Sequence, residues 1–173
     1  MTSIGNSAFK NCSSLLAIDI PSGLTSISNS TFWGCSALTA VTVPEGVTSI
    51  GGDSFRACSA LQKITLPESV TSIGVFAFSD CENLTSISIP ESVTYIGDGA
   101  FADIAPSAGI TVAPGNTVFA VGDGVLIDRQ QKKLLWYPHG RSDTSYQIPE
   151  GIVSIGDSAF EDCENLTGIS IPE

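Results

Sequence analysis

Residues 70–90 read VTSIGVFAFSDCENLTSISIP, and this pattern recurs along the chain at a spacing of 23 residues. Residues 47–67, VTSIGGDSFRACSALQKITLP, form the copy immediately before it. Five phenylalanines keep the spacing: Phe9, Phe32, Phe55, Phe78 and Phe101. A unit of this size cannot bury its own apolar side chains. The units must therefore stack on one another and share one continuous core.

Each unit contains an alternating apolar segment followed by proline, such as Ile87 and Ile89 before Pro90. Alternation predicts a strand with one buried face, and proline ends the strand because it has no N–H to donate. Strands in the same phase of successive units must pair in parallel. The A-F-x-x-C-x-x-L spacing predicts a short α or 3₁₀ turn, and V-T-S-I-G a second extended segment. We therefore expect an α/β repeat, a right-handed solenoid with one parallel β-sheet and short helical or 3₁₀ turns.

One unit, at residues 116–151, is 13 residues longer than the others. Two short apolar runs, 125–128 and 134–137, flank the polar stretch 129–133 and predict a β-hairpin insertion that protrudes from the solenoid. Exposed cationic and aromatic side chains are typical of interfaces. The candidate contact residues here are Arg129, Lys132, Lys133, Trp136, Tyr137, His139 and Arg141. The alternative is that Trp136 and Tyr137 pack the hairpin onto neighbouring turns.

The strand positions between the buried residues predict an outward, concave face of the sheet. Its side chains are small and hydroxylic, and four of them are candidate contacts: Lys63, Thr65, Ser86 and Ser88. Such a face can form hydrogen bonds with a glycan or an extended protein surface. It can equally be a solvated face, since Ser and Thr are common in strands.

All five cysteines occupy one repeat position, beside the buried Phe and Leu positions. We expect buried free thiols, because Cys packs as a small hydrophobe and Ile104 takes the same position in one unit. No C-x-x-C or Cys/His pair has zinc-site spacing, so we predict no metal. The turns carry acidic residues, such as Asp80, Glu82, Asp162 and Glu164. These acids could bind calcium weakly. The alternative is that they only keep the repetitive surface soluble.

Composition excludes several classes of function. The net charge of −11 argues against nucleic acid as a partner. No apolar run in these residues is long enough to insert into a membrane, and no charged stretch followed by an apolar run predicts a signal peptide. His139 is the single histidine, and no nucleophile, acid-pair or phosphate-loop motif accompanies it. We expect no catalytic site and no cofactor.

The run Cys81–Pro90, followed by Val93–Phe101, resembles the BspA-like leucine-rich repeat family of microbial surface proteins. Residues 152–172 repeat the match, and the long unit is similar to a longer repeat variant of that family. The unit at 93–115 departs from the pattern at Ile104, Ser107 and Pro114. The resemblance implies a leucine-rich-repeat solenoid. It also implies a binding or adhesion role toward a protein or glycan, at the cell surface or outside the cell, without catalysis.

We expect residues 1–173 to be a single array and a fragment of a longer protein, because neither end carries a polar capping unit. Terminal units that expose core residues and strand edges predict end-to-end self-association. The alternative to a binding module is a structural spacer that only holds other domains away from the cell.

Overall fold

A computed structural model describes residues 1–172 of the chain. These residues form fourteen short strands. The strands are β1 (Ser26–Ile27), β2 (Ala40–Thr42), β3 (Ser49–Ile50), β4 (Lys63–Thr65), β5 (Ser72–Ile73), β6 (Ser86–Ile89), β7 (Tyr95–Ile96), β8 (Gly109–Val112), β9 (Phe119–Gly122), β10 (Val125–Asp128), β11 (Lys133–Trp136), β12 (Ser145–Gln147), β13 (Ser154–Ile155) and β14 (Gly168–Ser170).

The first five units build two parallel sheets, so the prediction of a single sheet is wrong. The V-T-S-I-G segments form the first sheet, in the order β1-β3-β5-β7, and the alternating segments form the second, in the order β2-β4-β6-β8. Paired residues are 23 apart, as in Ile50 with Ile73 and Val41 with Ile64. The extended segment predicted for V-T-S-I-G is thereby confirmed as a strand.

The turns between the two sheets contain no helix within residues 1–172, so the predicted α or 3₁₀ turn is also wrong. Alternate amides reach the next unit: the N–H groups of Asp53 and Phe55 donate to the carbonyls of Val75 and Ala77, both at 2.9 Å. The amides between them bond three residues back, as Arg56 does to Asp53 at 3.2 Å. A helix would need consecutive bonds within the segment. Here half of the donors hold neighbouring units together instead.

Two residues of each turn, four apart, have a left-handed φ, for example 53° at Asp53 and 56° at Ala57. The equivalent positions elsewhere are mostly Asn, Asp or Gly, which tolerate this conformation better than other residues do, with Ser at three of them. This conformation interrupts any helical run. It also turns every second amide outward to the neighbouring unit.

The phenylalanines of successive units stack ring on ring through the centre of the solenoid. From Phe9 to Phe101 the ring centroids lie 5.5, 5.2, 5.5 and 5.8 Å apart, with the planes within 18° of parallel. The rings of Phe32, Phe55 and Phe78 are fully buried. Stacking continues the core from one unit to the next.

The cysteines form a second ladder beside the rings. Cys35, Cys58 and Cys81 are buried free thiols, as predicted, whereas Cys12 is exposed and Cys163 is half-buried, so the predicted burial is wrong for these two. The Cys58 thiol donates to the Phe32 carbonyl at 3.1 Å, and its neighbours in the ladder make the same bond. At this repeat position the thiol is therefore both a hydrogen-bond donor and an apolar side chain. The sequence predicted only the apolar role.

The long unit contributes three antiparallel strands rather than a protruding hairpin. β9, β10 and β11 form a meander, and β11 pairs in parallel with β13, so that Leu134 lies beside Ile155. Leu126 packs into the core of the first five units, whereas Val125 and Leu134 pack into a separate core with Tyr137. The predicted hairpin residues are paired, but the predicted protrusion is wrong because both faces of the meander are apolar and covered.

Replacing one ring of the stack tests its contribution to stability. We expect Phe55→Ala to lower the free energy of unfolding by about 3–5 kcal/mol, because the change removes a fully buried ring and leaves a cavity. Urea denaturation measures the loss. Phe76→Ala is the matched control with a smaller expected loss, since the Phe76 ring is only half-buried. Equal losses of unfolding free energy from the two substitutions would contradict a stabilising role for the ring stack.

Thiol labelling tests the cysteine ladder. Burial, with Cys35 nearby, raises the pKa of Cys58 to about 12. Burial, with Cys12 nearby, raises that of Cys35 to about 11. At pH 8 a thiol of pKa about 12 is thiolate in only about one part in ten thousand. We expect a disulfide reagent to label the exposed Cys12 first and the three buried thiols only after denaturation. Native labelling of Cys58 as fast as Cys12 would contradict this account.

Candidate binding surface

The outer face of the second sheet brings four of the predicted contact residues together. Lys63 and Thr65 on β4, and Ser86 and Ser88 on β6, are all exposed. They surround one shallow depression of about 320 Å³. Strand alternation explains this, because the residues between them, including Ile64 and Ile87, point into the core.

The lining of this depression combines hydroxyl, charged and apolar side chains. The hydroxyls of Thr65, Ser86 and Ser88 both donate and accept hydrogen bonds. Lys63 and Glu68 place one cation and one anion in the lining. Leu66, Pro90 and Ala113 add apolar surface. The depression can hold a polar ligand by hydrogen bonds and still bury some apolar area.

A second depression, of about 390 Å³, adjoins the first beside β8. Ala113 lines both, and Arg129 lines the second. The guanidinium of Arg129 donates to the Asn116 carbonyl, and the Arg129 side chain stays exposed. The structure therefore joins Arg129, predicted on a hairpin tip, to the sheet face.

Trp136 and Tyr137 are not available as contact residues. Only 3% of Trp136 and 2% of Tyr137 is exposed, so the prediction of exposed aromatic anchors is wrong. The Trp136 ring lies in the core of the first five units. The Tyr137 ring stacks on Phe160 at 5.1 Å between centroids. The structure therefore has the alternative arrangement, in which these two rings pack the hairpin onto the solenoid.

Two other predicted contact residues of the long unit, Lys133 and Arg141, lie apart from each other and form ion pairs. The Lys133 Nζ bonds to Asp98 at 2.6 Å, which ties β11 to the turn after β7. Arg141 binds Asp123 and Asp143, and the Asp143 hydrogen bond is the main cause that raises the pKa of Arg141. Both cations thus hold the insertion in place.

His139 and Lys132 complete the predicted set. His139 is half-buried and Lys132 is exposed. Burial, followed by the neighbouring carboxylate of Asp162, raises the pKa of Asp103, and His139 opposes this rise. Within residues 1–172 no three His, Cys, Asp or Glu side chains are placed to hold a metal ion. Of the acids considered for calcium, Asp80 instead binds Arg56 at 3.0 Å.

Asn116 has a structural role that the sequence pattern did not predict. This buried side chain donates to the carbonyls of Pro90 and Val93, both at 2.9 Å, and accepts from the amides of Val118 and Phe119. It fixes the point where the chain leaves β8 and enters the long unit. The Pro-Gly-Asn run at 114–116 was the available signal, since such runs favour turns that Asn side chains complete.

Within residues 1–172 no helix is long and apolar enough to span a membrane. No curated protein of known function matches the chain. Several solved structures are similar to it, including the following three. The first is a leucine rich cell surface protein from Faecalibacterium prausnitzii A2-165, with a TM-score of 0.84 and 35% identity over 98% of this chain and 47% of that one.

The second is the pneumococcal vaccine antigen PcpA, with a TM-score of 0.84 and 25% identity over 97% of this chain and 48% of that one. The third is a leucine-rich repeat protein of T. pallidum, with a TM-score of 0.63 and 28% identity over 99% and 64%. This chain spans about half the length of the first two.

The sequence pattern described as the BspA type leucine rich repeat region matches residues 1–120 and 139–173 in six copies. The matched ranges exclude 121–138, which hold the β10–β11 hairpin. They include the two parallel sheets and the face that carries Lys63, Thr65, Ser86 and Ser88. The chain belongs to the BspA-type leucine-rich repeat family, whose repeats build a solenoid with parallel sheets.

Proposed function

We propose that this chain is a non-catalytic binding module that recognises a protein at the cell surface or outside the cell. The observation that carries the proposal is the outer face of the second sheet, where Lys63, Thr65, Ser86 and Ser88 surround one depression. The family membership and the similarity to a cell surface protein support a recognition role and this location.

The face is suited to a protein ligand for a physical reason. Its hydroxyls repeat in step with the strands, so they present evenly spaced hydrogen-bond groups to an extended surface. The hydroxyls, one cation and one anion give a lining that is polar but nearly neutral. A glycan is the second ligand class that such a lining could hold.

A spacer function is the alternative, and the ring stack favours it. Five phenylalanines stacked without a break stiffen the first half of the solenoid. A stiff rod without a ligand would hold other domains at a fixed distance. The binding experiment below separates the two functions, because a spacer has no saturable ligand.

Association between copies is a further part of the proposal. The last units expose apolar side chains, with Ile155 at 40%, Ile169 at 42% and Ile171 at 68%. Apolar patches of this kind are typical of contact surfaces. Sedimentation over a range of protein concentrations would test end-to-end association directly.

The binding face is tested by blocking it. We expect the folded chain to bind saturably to at least one member of a panel of extracellular-matrix proteins and glycans. Ser86→Arg with Ser88→Arg should weaken that binding by at least about tenfold, because two long cations would cover the depression. Surface plasmon resonance measures the affinities.

The matched control makes the same change beside the first sheet, with Thr48→Arg and Thr71→Arg at the exposed residues immediately before β3 and β5. It should leave the affinity within about twofold. Equal losses from both double variants would contradict a site on the second sheet. No binding by the folded chain to any member of the panel would favour the spacer.

A further inference from the structure

The depression of about 390 Å³ beside β8 differs in charge from the rest of the chain. Of the residues within 1–172 that line it, Arg129 is the only charged one. The whole chain carries 18 acidic and only 7 basic residues. A lining with a cation and no acid therefore runs against the composition of the chain.

Arg129 also has no carboxylate partner within residues 1–172. The ion pairs there use three other cations, which are Arg56, Lys133 and Arg141. The Glu91 carboxylate packs against the neighbouring Gly115, but it forms no ion pair with Arg129. The positive charge of Arg129 is therefore left for a ligand.

Two hydrogen bonds hold Arg129 at this place. Its backbone amide donates to the Val118 carbonyl at 2.8 Å, and its guanidinium donates to the Asn116 carbonyl. The side chain is exposed, and most of the five N–H donors of a guanidinium stay available. A guanidinium fixed in this way is suited to a carboxylate, which it can bind through two parallel hydrogen bonds.

The rest of the lining offers few polar side chains. The Asn116 amide group already donates to two backbone carbonyls and accepts from two backbone amides. Thr111 is exposed and supplies one hydroxyl. Apolar surface comes from Val112, Pro114 and Val121. A ligand of this depression therefore meets one cation, one hydroxyl and apolar walls.

This lining discriminates between two classes of ligand. A sugar carries hydroxyls around its ring, and a hydroxyl that loses water without gaining a partner costs free energy. One threonine and one arginine cannot satisfy several such hydroxyls. A protein segment, in contrast, can place one carboxylate on Arg129 and its apolar side chains against Val112 and Val121.

The depression also continues the face on which the proposed function rests. Thr111 on β8 lies beside Ser88 on β6, so hydroxyls on neighbouring strands lead from the first depression into the second. A partner that covers the first depression therefore reaches Arg129. The first depression has no such excess of positive charge, because Lys63 and Glu68 line it together.

We propose that the depression beside β8 binds an acidic side chain of a protein partner, with the carboxylate on Arg129 and apolar neighbours of that residue against Val112 and Val121. This inference rests on the proposed function and names the chemistry of the partner. It also gives the long unit a role, since Arg129 lies in the stretch 121–138 that the family pattern leaves unmatched. The repeats build the face, and the long unit adds the cation.

The test pans a random dodecapeptide display library on the wild-type protein and measures the selected peptides against two variants. Arg129→Gln removes the cation and keeps a polar side chain. Lys132→Gln is the matched control, because it removes the same charge from an exposed residue of the same segment that does not line the depression. Thermal unfolding checks that both variants fold.

We expect the selected peptides to carry an Asp or Glu flanked by apolar residues. Arg129→Gln should weaken their binding by at least about tenfold, the effect of one lost hydrogen bond between charged groups. Lys132→Gln should leave the affinity within about twofold. Replacing the acid of a peptide by its amide should cost as much on the wild-type protein and change the affinity for Arg129→Gln by less than about twofold, because the two groups act as one pair.

A library that yields no binder, or peptides that bind Arg129→Gln as tightly as wild type, would overturn the inference. Equal losses from the two variants would also overturn it, since the effect would then be one of net charge. A glycan that responds to Arg129→Gln when no peptide does would overturn the assignment to a protein partner. A matrix protein that Ser86→Arg with Ser88→Arg blocks, but that binds Arg129→Gln with wild-type affinity, would overturn this inference and leave the proposed function standing.

Discussion

In a solenoid of fixed period, each buried side chain must pack against another copy of itself in the next unit. This constraint selects residues that stack well. Phenylalanine rings meet face to face at 5.2–5.8 Å, and cysteine thiols reach the carbonyl of a neighbouring unit at 3.1 Å. The two ladders account for why the same residue types return every 23 positions. They also fix the register that sets the outer faces of both sheets.

The same constraint governs the backbone. Amides at alternate turn positions bond to the next unit rather than within their own, so the turn is a connector between units and not a helix. The Phe-x-x-Cys-x-x-Leu spacing suited a helical turn equally well, which explains the wrong prediction. The deciding residues were the Asn, Asp and Gly at the two left-handed positions. Their meaning is clear only once the period shows that they recur in phase.

Sequence predicts most of the regular part of this protein, because period and alternation fix which residues point inward and outward. The face with Lys63, Thr65, Ser86 and Ser88 follows from that alternation alone. The long unit is different, since it has no second copy to supply a period. Adjacent apolar residues, such as Val125 with Leu126 and Leu134 with Leu135, indicate strands covered on both faces. The end of the second sheet at β8 depends on pairing between distant strands, which no local pattern reveals.

The most direct test of stacking by period compares two deletions. Removing residues 70–92 deletes one whole unit and brings Phe55 into register with Phe101, so the chain should keep its β-sheet circular dichroism and a single cooperative urea transition. Removing residues 70–91 deletes one residue fewer and moves every later side chain out of phase. We predict that only this second protein loses its cooperative transition. Equal behaviour of the two proteins would contradict the claim that packing between copies 23 residues apart holds the fold together.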